Sequence, residues 1–296
     1  MMEERFISSE QMVEEITAEV QRISDAFQFI LKYREQFQPS GIEFSDLRQY
    51  NPGDDASRID WRSSARLNDL YVKEYEEEQN MDVFIIMDVS DTTDFGTADK
   101  LKSEYFATVA ATIAYASVDM NVNVGIGMFG DDITFLSPDG GQTQYQKILR
   151  EVTNPDNFGG TFNFEESLNE LLKRVKDNTF VFILSDFIDF DHGDWEPKLK
   201  VVNSKYRKVF TLMIRDRRDY ELPKTGNMRF KSPSGDQRMV VDTNRFRDRF
   251  NEEARRKEDE VEEKLRAGGS EFVKIDTRDS FAAEILSYFD QAEGSW

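Results

Sequence analysis

Asp88-Val89-Ser90-Asp91-Thr92 directly follows the apolar run Val83-Phe84-Ile85-Ile86-Met87, and Ser185-Asp186 directly follows a second one, Phe180 to Leu184. A third segment, Gly159-Gly160-Thr161, precedes a helix-periodic stretch that begins near Phe164. Together they offer two carboxylates, Asp88 and Asp186, and three hydroxyls, Ser90, Thr92 and Thr161, with no nitrogen or sulfur donor among them. Such an all-oxygen set suits a hard cation, Mg2+ or Mn2+; Mg2+ takes six oxygens at ~2.0–2.1 Å and keeps several waters. If the hydroxyls touch the ion and the carboxylates act through water, much of its charge stays unneutralised and attracts an external carboxylate. The plainer alternative is that these side chains cap helices and satisfy loop amides. Their joint occurrence at three strand-end loops favours the metal.

Other chemistries fit less well. A phosphatase of haloacid dehalogenase type would use Asp88 as nucleophile and needs an acid two residues later, where Ser90 stands, a poor proton donor. The single histidine, His192, lies in a polar loop, and no nucleophile-elbow motif accompanies it. Gly125-Ile126-Gly127-Met128-Phe129-Gly130 matches a dinucleotide fingerprint, but its glycines fall inside a strand pattern and lead to another strand, so close packing explains them better. The chain has no P-loop, no EF-hand spacing and no cysteine.

Positioning three loops at one edge requires a sheet. Strands are expected at Val83 to Met87, Val122 to Phe129, Ile133 to Leu136, Phe180 to Leu184, Lys208 to Ile214 and Phe272 to Ile275. Helices are expected at Thr97 to Met120, Gln144 to Val152, Phe164 to Lys176, Trp195 to Asn203, Asn244 to Arg266 and Phe281 to Phe289. This alternation predicts an α/β fold with a doubly wound, mostly parallel sheet covered by helices on both faces. Ligands in such sheets collect outside the carboxyl ends of the strands, where strand order reverses.

Residues 81–296 form this domain, and residues 1–80 precede it as an N-terminal extension. Within the extension, Val13, Ile16, Val20, Ile23, Phe27 and Ile30 make one apolar stripe, predicting an amphipathic helix from about Ser9 to Arg34. Arg48, Asp54, Asp55, Arg58, Asp60 and Arg66 alternate in sign and suggest an ion-pair network around Trp61. The 38 Lys and Arg against 58 Asp and Glu give 38 − 58 = −20, which argues against nucleic acid and anionic membrane as partners. With no signal pattern and no run of 18 apolar residues, a soluble cytoplasmic protein without membrane insertion is expected.

Asp-x-Ser-x-Thr at 88–92, Thr161 and then Asp186 resemble the metal-ion-dependent adhesion site of von Willebrand factor A domains. The upstream Phe44-Ser45-Asp46-Leu47-Arg48-Gln49-Tyr50-Asn51-Pro52-Gly53-Asp54-Asp55, with Arg58-Ile59-Asp60-Trp61 and Ala65-Arg66, is similar to the signature of the DUF58 family. That family joins such a domain to this preceding segment. The pattern usually has Ser where Thr92 stands, a change that keeps the hydroxyl and adds a methyl. The resemblance implies a non-enzymatic, metal-dependent protein-binding module. It also implies a MoxR-type AAA+ ATPase as partner, with a chaperone-like role in assembling or activating a client protein, any ATP hydrolysis belonging to the partner.

Overall fold

In the computed structural model of the 296-residue chain, the described residues are 44–51, 59–67, 69–75, 81–97, 100–188, 193–231, 238–281, 283–285 and 287–288. The helix expected from Ser9 to Arg34 lies outside them, as do Asp54, Asp55, Arg58 and His192. The chain divides into two compact units, one within Leu31–Asn80 and one within Met81–Trp296.

The smaller unit pairs β1 (Phe44–Gln49) antiparallel with β2 (Tyr71–Tyr75), with the short helix α1 (Trp61–Leu67) between them in sequence. Asp60 starts that helix, its Oδ1 accepting the N–H groups of Arg62 and Ser63 at 3.0 and 3.2 Å. The Ser64 hydroxyl then accepts the Tyr71 N–H at 2.9 Å, tying α1 to β2. Trp61, the first residue of α1, is 68% exposed while Asp60 caps the helix; the ion-pair network expected around it involves Asp54, Asp55 and Arg58, which lie outside the described residues.

The larger unit runs β3 (Asp82–Asp88), α2 (Lys102–Asp119), β4 (Asn123–Phe129), β5 (Ile133–Asp139), α3 (Gly141–Val152), α4 (Phe164–Arg174), β6 (Thr179–Ser185), α5 (Glu196–Lys205) and β7 (Lys208–Arg215). A single turn, α6 (Arg217–Tyr220), leads to the hairpin β8 (Asn227–Lys231) and β9 (Arg238–Asp242), then to α7 (Thr243–Ala267) and β10 (Glu271–Asp276). Six strands form one sheet in the order β10-β7-β6-β3-β4-β5. All neighbours are parallel except β4 and β5. In chain order this is sixth, fifth, fourth, first, second, third, so the order reverses between β3 and β6, whose carboxyl ends carry Asp88 and Ser185-Asp186.

The apolar runs form strands because both faces of the sheet are covered. On one face, Phe84 and Ile86 of β3, Val181 and Ile183 of β6, and Val209 and Met213 of β7 pack with Phe164, Leu168 and Leu171 of α4, Leu199 and Val202 of α5, and Val261 and Leu265 of α7. On the other, α2 packs across β3, β4 and β7 with α3 beside it. Every residue of β3 and β6 is buried, which is why neither shows the polar-apolar alternation of a half-exposed strand. Helix α2 is buried almost all round; Thr108, Thr112 and Ser117 return their hydroxyls to the carbonyls of Glu104, Thr108 and Ile113 at 2.9, 2.8 and 2.7 Å.

Two differences from expectation have physical causes. Helix α2 begins at Lys102, not Thr97, because Thr97 gives its N–H and hydroxyl to Asp216 at 2.8 and 2.7 Å and the chain turns before the helix starts. The hairpin β8–β9 is not foreshadowed because its strands carry no buried apolar run; Met239 and Val240 are 63% and 66% exposed.

Candidate metal centre

Asp88 is the last residue of β3 and Ser185 the last of β6, and their strands run side by side in register, Met87 opposite Leu184. The Ser185 hydroxyl donates to Asp88 Oδ2 at 2.7 Å, while Ser90 donates to Asp88 Oδ1 through its N–H at 2.9 Å and its hydroxyl at 2.6 Å. The chain of hydroxyls continues from Ser90 Oγ to Thr92 Oγ1 at 3.0 Å, and Thr92 donates to Asp186 Oδ1 at 3.2 Å. Four of the five expected residues, Asp88, Ser90, Thr92 and Asp186, thus share one hydrogen-bonded cluster. All four are buried.

The fifth, Thr161, lies on an adjacent loop and is exposed; its N–H donates to Asp131 Oδ1 at 3.1 Å. That loop is tied to the first one. Asp91 N–H donates to the Gly160 carbonyl at 2.9 Å, Gly160 N–H returns to Asp91 Oδ1 at 3.1 Å, and Gly159 N–H donates to the Val89 carbonyl at 2.7 Å. Gly160 has φ +82°, and a Cβ there would overlap the Asp131 carboxylate, so this turn needs glycine on both counts. At the other edge of the cluster Phe187 holds φ +49°, an uncommon conformation for a bulky residue. Flanking hydrogen bonds hold it there. Phe187 N–H donates to Ser185 Oγ and Ile188 N–H to Asp186 Oδ1, each at 2.9 Å.

A residue that sequence reasoning passed over completes the electrostatics. Lys102, the first residue of α2, is buried and places Nζ 2.6 Å from Asp186 Oδ2 and 2.9 Å from Asp219 Oδ2 on α6. Burial by itself would lower the lysine, but the carboxylates of Asp186 and Asp219 together hold it above the ordinary range. Asp219 is raised, chiefly by burial, and Asp216 is lowered despite burial because the N–H groups of Arg218 and Thr97 donate to it. The signal for Lys102 was present: α2 is otherwise almost uncharged, and a lysine on such a helix needs an acidic partner. Ser185 was equally legible as part of the Ser185-Asp186 pair, although its role is to hold Asp88.

Asp88 differs from Asp186 in having no basic side chain against it among the described residues. Burial, reinforced by the neighbouring Asp186 charge, pushes its carboxyl from 3.8 up to about 7 in spite of the hydrogen bonds from Ser90 and Ser185. A buried carboxyl group held only by hydroxyl and amide donors, with the Ser90 and Thr92 oxygens beside it, fits a hard divalent cation. No three His, Cys, Asp or Glu side chains gather as a metal cage among the described residues, so an ion here depends on Ser90 and Thr92 as well as on the acids.

The glycines at 125–130 are structural. Gly125 lies within β4, where a Cβ would stand 2.7 Å from both the Leu136 carbonyl oxygen and the Pro138 nitrogen of β5, and no helix follows that strand directly. A pyrophosphate-binding turn needs that helix.

The family model for the protein of unknown function DUF58 matches residues 46–260. The chain belongs to the DUF58 family. The match begins within β1 and ends in α7, so it takes in both the smaller unit and the loops that carry the cluster. Within this DUF58 chain the six-stranded sheet is doubly wound and mostly parallel, with β5 antiparallel at one edge. The chain is 25% identical over 252 residues to the uncharacterized protein Rv1480 of Mycobacterium tuberculosis, covering 84% of this chain and 78% of that one. Among solved structures it is similar to the conserved hypothetical protein BatB from Bacteroides thetaiotaomicron, with 16% identity, TM-score 0.46, and 73% of this chain and 100% of that one covered. A likeness to the SpRpn10 VWA domain has 10% identity and TM-score 0.40, with 71% of this chain and 94% of that one covered. Among the described residues no helix is long and apolar enough to cross a membrane.

Proposed function

We propose that this chain is a non-enzymatic protein-binding module whose Asp88–Ser90–Thr92–Asp186 cluster, with Thr161 on the loop tied to Asp91, takes up Mg2+ or Mn2+ and captures an acidic side chain of a partner. The observation that carries this reading is Asp88: a buried carboxylate with no basic partner among the described residues, linked through Ser90 and Thr92 to a second carboxylate at the switch point of the sheet. Bound there, the ion supplies an electrophilic position at which an external carboxylate replaces a water. Ser90 and Thr92 present neutral oxygens, and Ser185 keeps Asp88 oriented. The net charge of −20 opposes an acidic partner at long range, but that field is screened over ~8 Å at physiological salt, so capture is short-ranged and depends on local geometry.

The partner class we assign is a MoxR-type AAA+ ATPase, acting with this chain in assembly or activation of a client protein. Its support is membership of the DUF58 family together with the adhesion-site pattern at 88–92, 161 and 186. The phosphatase alternative finds no favouring observation, because Ser90 spends its hydroxyl hydrogen on Asp88 itself.

Affinity capture from cell extract, run with Mg2+, with chelator, and with Asp88→Ala, tests the proposal. Recovery of an AAA+ ATPase by the wild type in Mg2+, and its loss in the other two arms, is the expected result. Equal recovery in all three by folded protein refutes it. A phosphoester panel runs alongside: metal-dependent turnover that Asp88→Asn abolishes would replace this reading with the enzymatic one.

A further inference from the structure

Among the described residues Lys102 is the one basic side chain paired with the cluster, and it bears on a single side of it. Its Nζ holds Asp186 Oδ2, while the other oxygen of the same carboxylate takes Thr92 and the Ile188 N–H. Asp219 grips the ammonium from behind through both oxygens, at 3.1 and 2.9 Å. Asp219 is itself fixed, its Oδ2 accepting the Asp216 N–H at 2.8 Å while Asp216 takes the N–H and hydroxyl of Thr97. The ammonium is therefore clamped between the loop after β6 and the turn after β7. A buried lysine held this way is a permanent positive charge at one end of the hydroxyl chain.

We propose that Lys102 is a positioning and affinity-setting residue, a built-in monovalent cation that orients Asp186 and keeps the neighbouring divalent site weak enough to need a partner's carboxylate. The proposal rests on the metal reading above and extends it to the strength of binding. The sign follows from charge. A fixed positive group on Asp186 repels a divalent ion approaching Thr92 and Ser90 and offsets part of the negative charge that Asp88 and Asp186 jointly offer, the remainder of the lysine's charge being shared with Asp219. With Asp186 already partly neutralised, the ion remains under-compensated, and an incoming carboxylate restores the balance. Metal and partner then bind with positive coupling.

The test uses the full chain and Mn2+ alone as probe, with affinity read by calorimetry and folding by thermal melts in chelator. Lys102→Gln removes the charge while keeping a donor for Asp186, and Lys102→Arg retains the charge. The expected result is at least ~10-fold tighter Mn2+ binding in Lys102→Gln, with Lys102→Arg near wild type. A merely structural lysine would give the opposite trend, because a loosened site binds no better. Wild-type binding with equal or weaker affinity in Lys102→Gln overturns the role of Lys102 and leaves the metal reading standing. Binding by Lys102→Gln but not by wild type supports the built-in cation and removes the metal from the native protein. Absence of binding in both overturns both. Should Lys102→Gln not fold, Asp219→Asn decides: freeing the lysine from one acid must weaken Mn2+ binding at least ~3-fold, and unchanged binding refutes the proposal.

Discussion

The Ser185 hydroxyl bridges the seam between β6 and β3, donating to Asp88 Oδ2 at 2.7 Å while accepting the Phe187 N–H at 2.9 Å. One small side chain thus holds both the first acid of the cluster and the strained residue beyond the second. Ser185→Ala is expected to destabilise the protein by about 1–3 kcal/mol, the cost of leaving buried polar groups unpaired. It should also weaken Mg2+-dependent partner capture, although Ser185 is not assigned as a metal ligand. Urea unfolding and the capture assay check the two effects separately.

Gly160 makes a second prediction. Gly160→Ala places a methyl against Asp131 at a positive φ, and the loop must move to admit it. We expect a stability loss of about 1–3 kcal/mol with diminished metal binding, because the same loop carries Thr161 and is tied to Asp91. A melt unchanged from wild type contradicts the described loop.

Acid dependence should show two opposite signs. In metal-free protein the folded Asp88 carboxyl is raised from 3.8 to about 7, so the folded state binds the extra proton between those values and its contribution to stability falls as pH rises through that window. Asp88→Asn flattens that slope. Asp276 behaves in reverse: although burial opposes it, hydrogen bonds from Arg278 and Tyr220 lower it to about 2, so its stabilising contribution is present above 3.8 and disappears as pH drops toward 2. Denaturant midpoints across pH for wild type, Asp88→Asn and Asp276→Asn in chelator read both slopes.

Surface ion pairs provide the contrast. Arg256 reaches Glu253 and Glu260 on the exposed face of α7, and Arg266 pairs with Glu262 at 2.8 Å. Replacing Glu260 or Glu262 by Gln should change stability by less than about 0.5 kcal/mol. A larger loss in urea unfolding would show that α7 depends on charge and not on Val261 and Leu265.

The larger unit was legible because its central strands are continuous apolar runs. Val83 to Met87 and Phe180 to Leu184 announce strands covered on both faces, and the acids directly after them must then emerge at the same edge. Thr161 was harder to place from residue type alone: Gly159 and Gly160 mark a turn, but the direction of the side chain depends on long-range bonds to Asp91 and Asp131. Lys102 escaped because its partners, Asp186 and Asp219, are 84 and 117 residues away, and pairing at that distance follows from strand order. The β8–β9 hairpin escaped for another reason. Short strands with exposed side chains carry little of the burial that makes a pattern visible.

The reversal of strand order between β3 and β6 also sets a timetable for synthesis. Asp88 is made 97 residues before the serine that will hold it, and Lys102 is made 117 residues before Asp219. At ribosomal speeds of about 5–20 residues per second, Asp88 at the end of β3 waits roughly 5–20 seconds for the end of β6, and longer for α6. During that interval an acid and a lysine destined for burial sit at an open sheet edge, still hydrated and uncommitted. The cluster at this edge is therefore completed only when β6 and the Asp186 after it have been made, and a chain interrupted before β6 carries half a sheet and no site.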